Sequence, residues 1–329
     1  MIDYKTLDLT EDDLKEMYRL MLTTRKIDER MMLLNRAGKI PFVVSCQGKE
    51  AAQVGAAYAL KKKVDYLNPY YRDLGMVTTL GTTPLESMLA AFAKRDDTSS
   101  GGRQMPGHFS DYELNIVTQG STVTTQVLHA AGIAYALKMD GKEAVSFTSL
   151  GEGSTSQGDF HEALNFASVH QLPYICFIEN NGYAISVPKS LQYNIDDLSE
   201  RKHAYGIHGE QINGNDPLEV FQSVKAARTR AINGEGPTII DALVSRIGAH
   251  SSDDDDSYRD KAHVQTLKDT DCLITFKDYI LKNTTIEEEW FEAIDEEVKN
   301  IINDATKEAE HAPYAEPSYA LKHVYEEEL

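Results

Sequence analysis

Residues 151–158 read GEGSTSQG and residues 180–186 read NNGYAIS. Gly151, Gly153 and Gly158 stand between a segment of strand character, EAVSFTSL, and a helical one that begins near Asp159. Backbone N–H groups bare of side chains and a helix N-terminus then point at one place, which makes a cradle for an anion. Neither common phosphate motif describes it. A P-loop needs Lys and Ser or Thr where Asp159 and Phe160 stand, and Ser156 replaces the third glycine of the dinucleotide fingerprint. Glu152 falls at the carboxyl end of one strand, and Asn180 and Asn181 at the carboxyl end of the next, the crevice where open α/β sheets bind ligands. A carboxylate, an amide oxygen and a turn carbonyl are hard oxygen ligands. With phosphate oxygens and water they would complete the octahedron that Mg²⁺ demands, which makes the pattern a metal-bridged diphosphate site. Each piece alone reads as a simple glycine or Asn-Asn-Gly turn; their occurrence on successive βα units gives the pattern its weight.

These turns need a scaffold, and the middle of the chain supplies one by alternating periods. TTQVLHAAGIAYALKM reads as helix, EAVSFTSL as strand, DFHEALNFASVHQ as helix, PYICFIE as strand, GNDPLEVFQSVKAARTRAI as helix and GPTIIDALVSRI as strand. This is βαβ logic, so the fold class is α/β, a mostly parallel sheet with helices on both faces. Upstream, Leu14, Met17, Tyr18 and Met21 recur at helical spacing, with Thr10 as the N-cap and Asp13 completing its turn. The segment KEAAQVGAAYAL is helical and rich in small residues, which suits either tight helix packing or a crowded cofactor or subunit region. Residues 96–115 form a long polar loop, as does GAHSSDDDDSYRD. The acidic amphipathic segment within 284–310 reads as a helix with a solvated charged face. The chain is expected to be one α/β domain over 1–329, with an N-terminal helical segment about 10–36 and a C-terminal helix and tail about 284–329.

Composition narrows the function. Of 329 residues, 33 are Lys or Arg against 52 Asp or Glu, a formal charge of −19 that repels nucleic acid. Cys46, Cys176 and Cys272 lie far apart, without the spacing of a disulfide framework or zinc site, which fits a cytoplasmic protein. The acidic start is neither a signal nor a transit peptide, and no apolar run reaches membrane length. His161 and Glu162 lack the second histidine of a zinc protease. No G-x-S-x-G elbow is present. The aspartate loop has Tyr258 and Val264 where an EF-hand needs Gly and Glu.

The stretch GEGSTSQGDFHEALNFASVHQLPYICFIENNGYAIS resembles the thiamine diphosphate motif as it stands in the α subunits of 2-oxo acid dehydrogenases. The likeness runs from RKIDERMMLLNRAGKIPFVVSCQGKEAA through PYYRD, GGRQMPGHF, VTTQ and NGNDPLEV to HSSDDDDSYR; GRQMPGHF and the serine-aspartate loop are most similar to the branched-chain members. The resemblance implies a thiamine diphosphate-binding fold. It would give Mg²⁺ the ligands Glu152, Asn181 and the Tyr183 carbonyl, and assign the terminal phosphate to Tyr71 and Arg72, where a planar guanidinium suits the oxygens. Gly151, Gly153, Ser154 and Ser121 would contact the cofactor, Val123 would wedge it into a bent shape, His250 would act near the phosphates and the reacting carbon, and Phe42 would line the substrate pocket. Two departures stand out. The commoner acid of the motif is Asp rather than Glu152, and some branched-chain relatives carry Arg where this chain has Glu179. Phosphate neutralisation is therefore expected to lean on Arg72, Mg²⁺ and the helix N-terminus.

The implied reaction is decarboxylation of a 2-oxo acid with transfer of the acyl unit to a lipoyl group, the cofactor carrying the chemistry. Only the diphosphate-binding module is present in this chain. A β subunit would thus supply the activating acid within a heterotetramer of two α and two β, beside a lipoylated transacylase core. The loop around His250, Ser251 and Ser252 has almost nothing apolar to anchor it and is expected to be mobile until a bound diphosphate orders it. A pyruvate or acetoin dehydrogenase α subunit, a Mg²⁺-dependent nucleotide or sugar-phosphate enzyme, and a non-catalytic scaffold remain as alternatives.

Overall fold

The computed structural model describes residues 1–322. Thr10 opens the first long helix, α1 (Glu11–Arg36), with a reciprocal cap. Its hydroxyl accepts from the Asp13 N–H at 3.2 Å while the Asp13 carboxylate accepts from the Thr10 N–H at 2.8 Å. Such a cap stabilises a helix by about 1 kcal/mol. Leu14, Met17, Met21 and Ile27 follow on the inward face and are wholly buried. The chain then runs through α2 (Glu50–Tyr58), β1 (Tyr66–Asn68), α3 (Leu74–Leu80), α4 (Pro84–Ala91), α5 (Thr125–Met139), β2 (Ser146–Gly151), α6 (Gly158–Val169) and β3 (Tyr174–Asn180). A hairpin of β4 (Tyr183–Ala184) and β5 (Val187–Pro188) leads to α7 (Lys202–Tyr205), β6 (His208–Asn213), α8 (Pro217–Ile232) and β7 (Thr238–Leu243). Beyond the aspartate loop come α9 (Lys261–Asp269), α10 (Cys272–Asn283) and α11 (Glu288–His311).

Five strands form one parallel sheet in the order β1-β2-β3-β7-β6. Its central strands are apolar on both sides because both faces are covered. Phe147, Ile175, Phe177 and Ile240 join a core with α2, α3 and α8, whereas Leu150, Tyr174, Cys176, Ile178 and Ile239 join another with α5 and α6. The expected α/β architecture is borne out. A third apolar layer unites α1, α4, α10 and α11, so segments far apart in sequence share one core. The acidic helix α11 buries Phe291, Ile294, Val298 and Ile302 and turns its carboxylates outward.

The small residues of α2 serve helix packing: a Cβ on Gly55 would come within 2.6 Å of the Pro217 carbonyl oxygen at the start of α8. The three cysteines are free and buried. Among the described residues, no helix is long and apolar enough to cross a membrane. For function, the decisive feature is the register of β2 and β3. Gly151 stands opposite Glu179, so the glycine turn and the asparagine pair leave the sheet side by side at its carboxyl edge.

Candidate active site

Glu152 begins a single 3₁₀ turn, Glu152–Ser156, inserted between β2 and α6. Its carboxylate is almost wholly buried at 1% exposure. Oε2 accepts both the backbone N–H of Asn181 at 3.1 Å and the Asn181 side-chain amide at 3.0 Å. Oε1 of Glu152 and Oδ1 of Asn181 are buried and have no hydrogen-bond partner among the described residues. Buried oxygens are almost always satisfied, and two unsatisfied ones on residues hydrogen-bonded to each other are candidate ligands for a hard cation. Among the described residues no three His, Cys, Asp or Glu cluster as a metal site, so a cation here would depend on neutral oxygens and its anionic ligand as well as on Glu152. Burial pushes the Glu152 carboxyl up, and Lys49 nearby pulls it back. Asn180 plays a different part. Its amide donates to Asp241 on β7 at 3.0 Å and its oxygen accepts from the Gly182 N–H at 3.2 Å, which fixes the turn that aims Asn181.

These groups border a cleft of about 490 Å³ that also touches Lys49, Tyr71, Arg72, Ser121, Val123, Gly151, Gly153, Ser154, Tyr183, Arg246 and His250. The structure thus brings together every site residue expected from sequence except Phe42. Phe42 is half-buried and lies outside the cleft lining; its neighbours Val43 and Val44 line a separate small cavity behind Tyr71 instead. The start of α6 is outside the lining as well, because the 3₁₀ turn displaces it. The expected helix N-terminus is therefore not part of the cleft lining, which carries the cationic side chains Lys49, Arg72 and Arg246.

Arg72 is buried, donates to the Ser45 carbonyl, and reaches the His250 carbonyl at 3.1 Å and His250 Nδ1 at 3.3 Å. Its guanidinium carbon lies 5.5 Å from the Tyr71 ring centroid. Burial, with Arg72 and Arg246 close by, pushes the His250 imidazole down to about 4, so the ring is neutral at pH 7. Arg246 donates to the Ile185 carbonyl at 3.0 Å and to the Tyr258 hydroxyl at 2.8 Å, and burial lowers its proton affinity.

The walls are built under local strain. Val123 is 38% exposed into the cleft, and the next residue, Thr124, holds φ at 83° although it is β-branched. Ile185 across the cleft does the same at φ 55°. Strained backbone of this kind persists only where surrounding contacts enforce it, and it gathers at functional sites. The Thr124 hydroxyl donates to the Ser154 carbonyl at 3.2 Å, tying that wall to the glycine turn. Gly153 is required by close approach, since a Cβ there would collide with Ala184 Cβ. Ser121 pairs with His108 Nε2 at 2.7 Å, and His108 Nδ1 meets the Met105 carbonyl at 2.8 Å.

The aspartate loop is better anchored than its composition suggests. Arg259 is buried, pairs with Asp256 at 2.6 Å and donates to the carbonyls of Arg246 and Gly248. The Tyr258 hydroxyl donates to Asp254 at 2.6 Å, and the same carboxylate accepts the His250 N–H at 2.8 Å. Ser252 and Val43 exchange hydrogen bonds, Ser252 N–H to the Val43 carbonyl at 2.8 Å and Val43 N–H to Ser252 Oγ at 3.2 Å. A polar lattice replaces the missing apolar anchor.

Lys49, Arg246 and His108 were not singled out by sequence reasoning. Lys49 had a signal: a lysine beside an Ala- and Gly-rich helix that must be buried has to find an anion. Arg246 had a weaker one, as an arginine three residues past the end of a buried strand. His108 had none, because its loop lacks periodicity.

The profile described as "Dehydrogenase E1 component" matches residues 18–318. The chain belongs to the dehydrogenase E1 component family. It is 53% identical over 323 residues to the 2-oxoisovalerate dehydrogenase subunit alpha of Bacillus subtilis (strain 168), covering 98% of each chain. It is 36% identical over 321 residues to the pyruvate dehydrogenase E1 component subunit alpha of the same organism, covering 97% of this chain and 84% of the relative. The corresponding Staphylococcus aureus (strain Mu50) subunit is 35% identical over 326 residues, at 97% and 84% coverage.

Proposed function

We propose that this chain is the α subunit of a branched-chain 2-oxo acid dehydrogenase, acting with thiamine diphosphate and Mg²⁺ on branched 2-oxo acids. The observation that carries the reading is the pair of buried oxygens, Glu152 Oε1 and Asn181 Oδ1, that have no partner among the described residues and belong to a cleft edged by cationic side chains. A chain of formal charge −19 that gathers Arg72, Arg246 and Lys49 around one carboxylate is built for an anion that brings a cation with it. The higher identity and fuller coverage of the 2-oxoisovalerate enzyme, against the pyruvate enzymes, favour a branched acyl group.

In this reading Glu152, Asn181 and the Tyr183 carbonyl hold Mg²⁺, while Tyr71 and Arg72 hold the terminal phosphate. Gly151, Gly153, Ser154 and Ser121 line the cofactor's path and Val123 sets its bend. Thiamine diphosphate, when bound, supplies the electron sink for decarboxylation and acyl transfer. His250 is neutral, and because its Nδ1 faces the Arg72 guanidinium, which can only donate, Nε2 carries the ring proton and can donate a hydrogen bond to a bound group in the cleft. Phe42, outside this chain's cleft, would meet substrate only in the assembled enzyme. The chain works as one diphosphate-binding unit over 1–329, in the cytoplasm. A β subunit completes the active site in a heterotetramer of two α and two β, and a lipoylated transacylase receives the acyl group; nucleic acid and membrane are not partners.

Co-expression with a candidate β chain, followed by a decarboxylation assay on 3-methyl-2-oxobutanoate and pyruvate, tests the reading. Turnover only in the presence of both subunits, thiamine diphosphate and Mg²⁺, with preference for the branched acid, is expected. Equal turnover of pyruvate would overturn the substrate assignment, and full activity without β would overturn the shared site.

A further inference from the structure

We infer that Lys49 is a third cation for the diphosphate, beside Arg72 and Arg246, and that Glu179 and Tyr70 are positioning residues that aim its ammonium into the cleft. The inference rests on the reading that the cleft takes a diphosphate. Lys49 stands at the N-cap of α2, and its side chain is buried at 1% exposure on the cleft floor. Its Nζ donates to Glu179 Oε2 at 2.9 Å and to the Tyr70 hydroxyl at 2.9 Å. An ammonium has three donors, and these partners take two.

Glu179 is fixed from every side. Besides Lys49, its Oε2 accepts the Tyr70 hydroxyl at 2.7 Å, and its Oε1 accepts the Gln53 amide at 3.0 Å. That same Gln53 amide donates to the Arg72 carbonyl at 2.9 Å, so one network seats both Lys49 and the phosphate-facing arginine. A buried ion pair of this kind stabilises a fold little more than apolar residues of equal volume would. Its value lies in where it puts the charge. Lys49 lines the same cleft as Glu152 and His250, so its charge is shared with both ends of the site. Glu179, at the carboxyl end of β3, thus holds a cation brought in from the start of α2.

The experiment uses the complex with β and calorimetric titration of thiamine diphosphate and of thiamine, both at fixed Mg²⁺. Lys49→Met/Glu179→Gln removes both charges and leaves neither buried alone, so the fold should hold, as checked by thermal melting. This double variant should lose about tenfold to a hundredfold in thiamine diphosphate affinity, the worth of one charge-assisted hydrogen bond, with thiamine affinity changed less than about threefold. Lys49→Arg, which keeps the charge, should retain most of the preference for the diphosphate. An unchanged ratio of the two affinities in the folded double variant, or the same loss in Lys49→Arg, would overturn the role of Lys49 while leaving the diphosphate reading intact. Failure of the wild-type complex to prefer thiamine diphosphate over thiamine would overturn both.

Discussion

Two glutamates end neighbouring strands of the sheet, one just past β2 and one within β3, and both are buried, Glu152 at 1% and Glu179 at 0% exposure. Glu179 has both oxygens engaged, by Lys49, Tyr70 and Gln53. Glu152 has one oxygen on Asn181 and the other on nothing among the described residues. Residue type, depth and strand position are shared; the difference is the count of partners inside the chain. A saturated carboxylate is scaffold and an unsaturated one is a ligand waiting for its ion, because a buried unpaired oxygen carries a desolvation cost that only a bound group removes.

The contrast is broken most sharply at Glu179. Glu179→Ala leaves the Lys49 ammonium buried without its counter-ion and should cost about 3 to 5 kcal/mol of stability, read by urea denaturation. A loss below about 1 kcal/mol, the range of an exposed pair, would mean that the pair is not buried as described.

Glu152→Ala should shift the loss from stability to binding. It removes the acceptor of the Asn181 N–H and side-chain amide but strands no counter-ion, so stability should fall by less than in Glu179→Ala, about 1 to 3 kcal/mol, while Mg²⁺-dependent binding of thiamine diphosphate falls by at least about a hundredfold, the upper end of what outer-shell changes cost at metal sites. Wild-type affinity in a folded Glu152→Ala complex would remove it from the metal site.

The same accounting applies to the His250 ring, whose Nδ1 meets the Arg72 guanidinium. Its folded pKa of about 4 lies below the ordinary value of 6.5, so between these values the unfolded chain binds more protons and stability falls as pH is lowered. Melting temperatures should therefore drop from pH 6.5 toward 4, and His250→Gln should flatten part of that slope. A bound diphosphate would draw a proton onto the ring, so titration in two buffers of different ionisation enthalpy should reveal proton uptake near pH 6. Equal heats in both buffers, once corrected for dilution, would argue against a bound anion beside His250.

The smallest effect belongs to a third glutamate. Glu289 is exposed on α11, and Glu289→Gln should change stability by less than about 0.5 kcal/mol and leave cofactor affinity alone. A larger change would show that the acidic face of α11 carries a contact beyond this chain.

The sequence by itself determined what depends on near neighbours. Thr10 and Asp13 announce α1 because a cap is settled within one turn. Alternating apolar runs announce β2, α6 and β3 because strand and helix periods differ. Gly151 to Ser154 and the pair Asn180–Asn181 were legible as a site because a parallel sheet places successive turns on one edge. Tertiary structure alone decided that Asn180 is held by Asp241, whether Glu179 faces the ligand or holds Lys49, and that Phe42 lies outside the cleft. Lys49 and Glu179 are separated by 130 residues, and Arg72 and His250 by 178. Partners so distant leave no periodic trace in the chain. These side chains meet only after three apolar layers have fixed the strand ends, since they are too short to reach one another across the sequence distances that separate them.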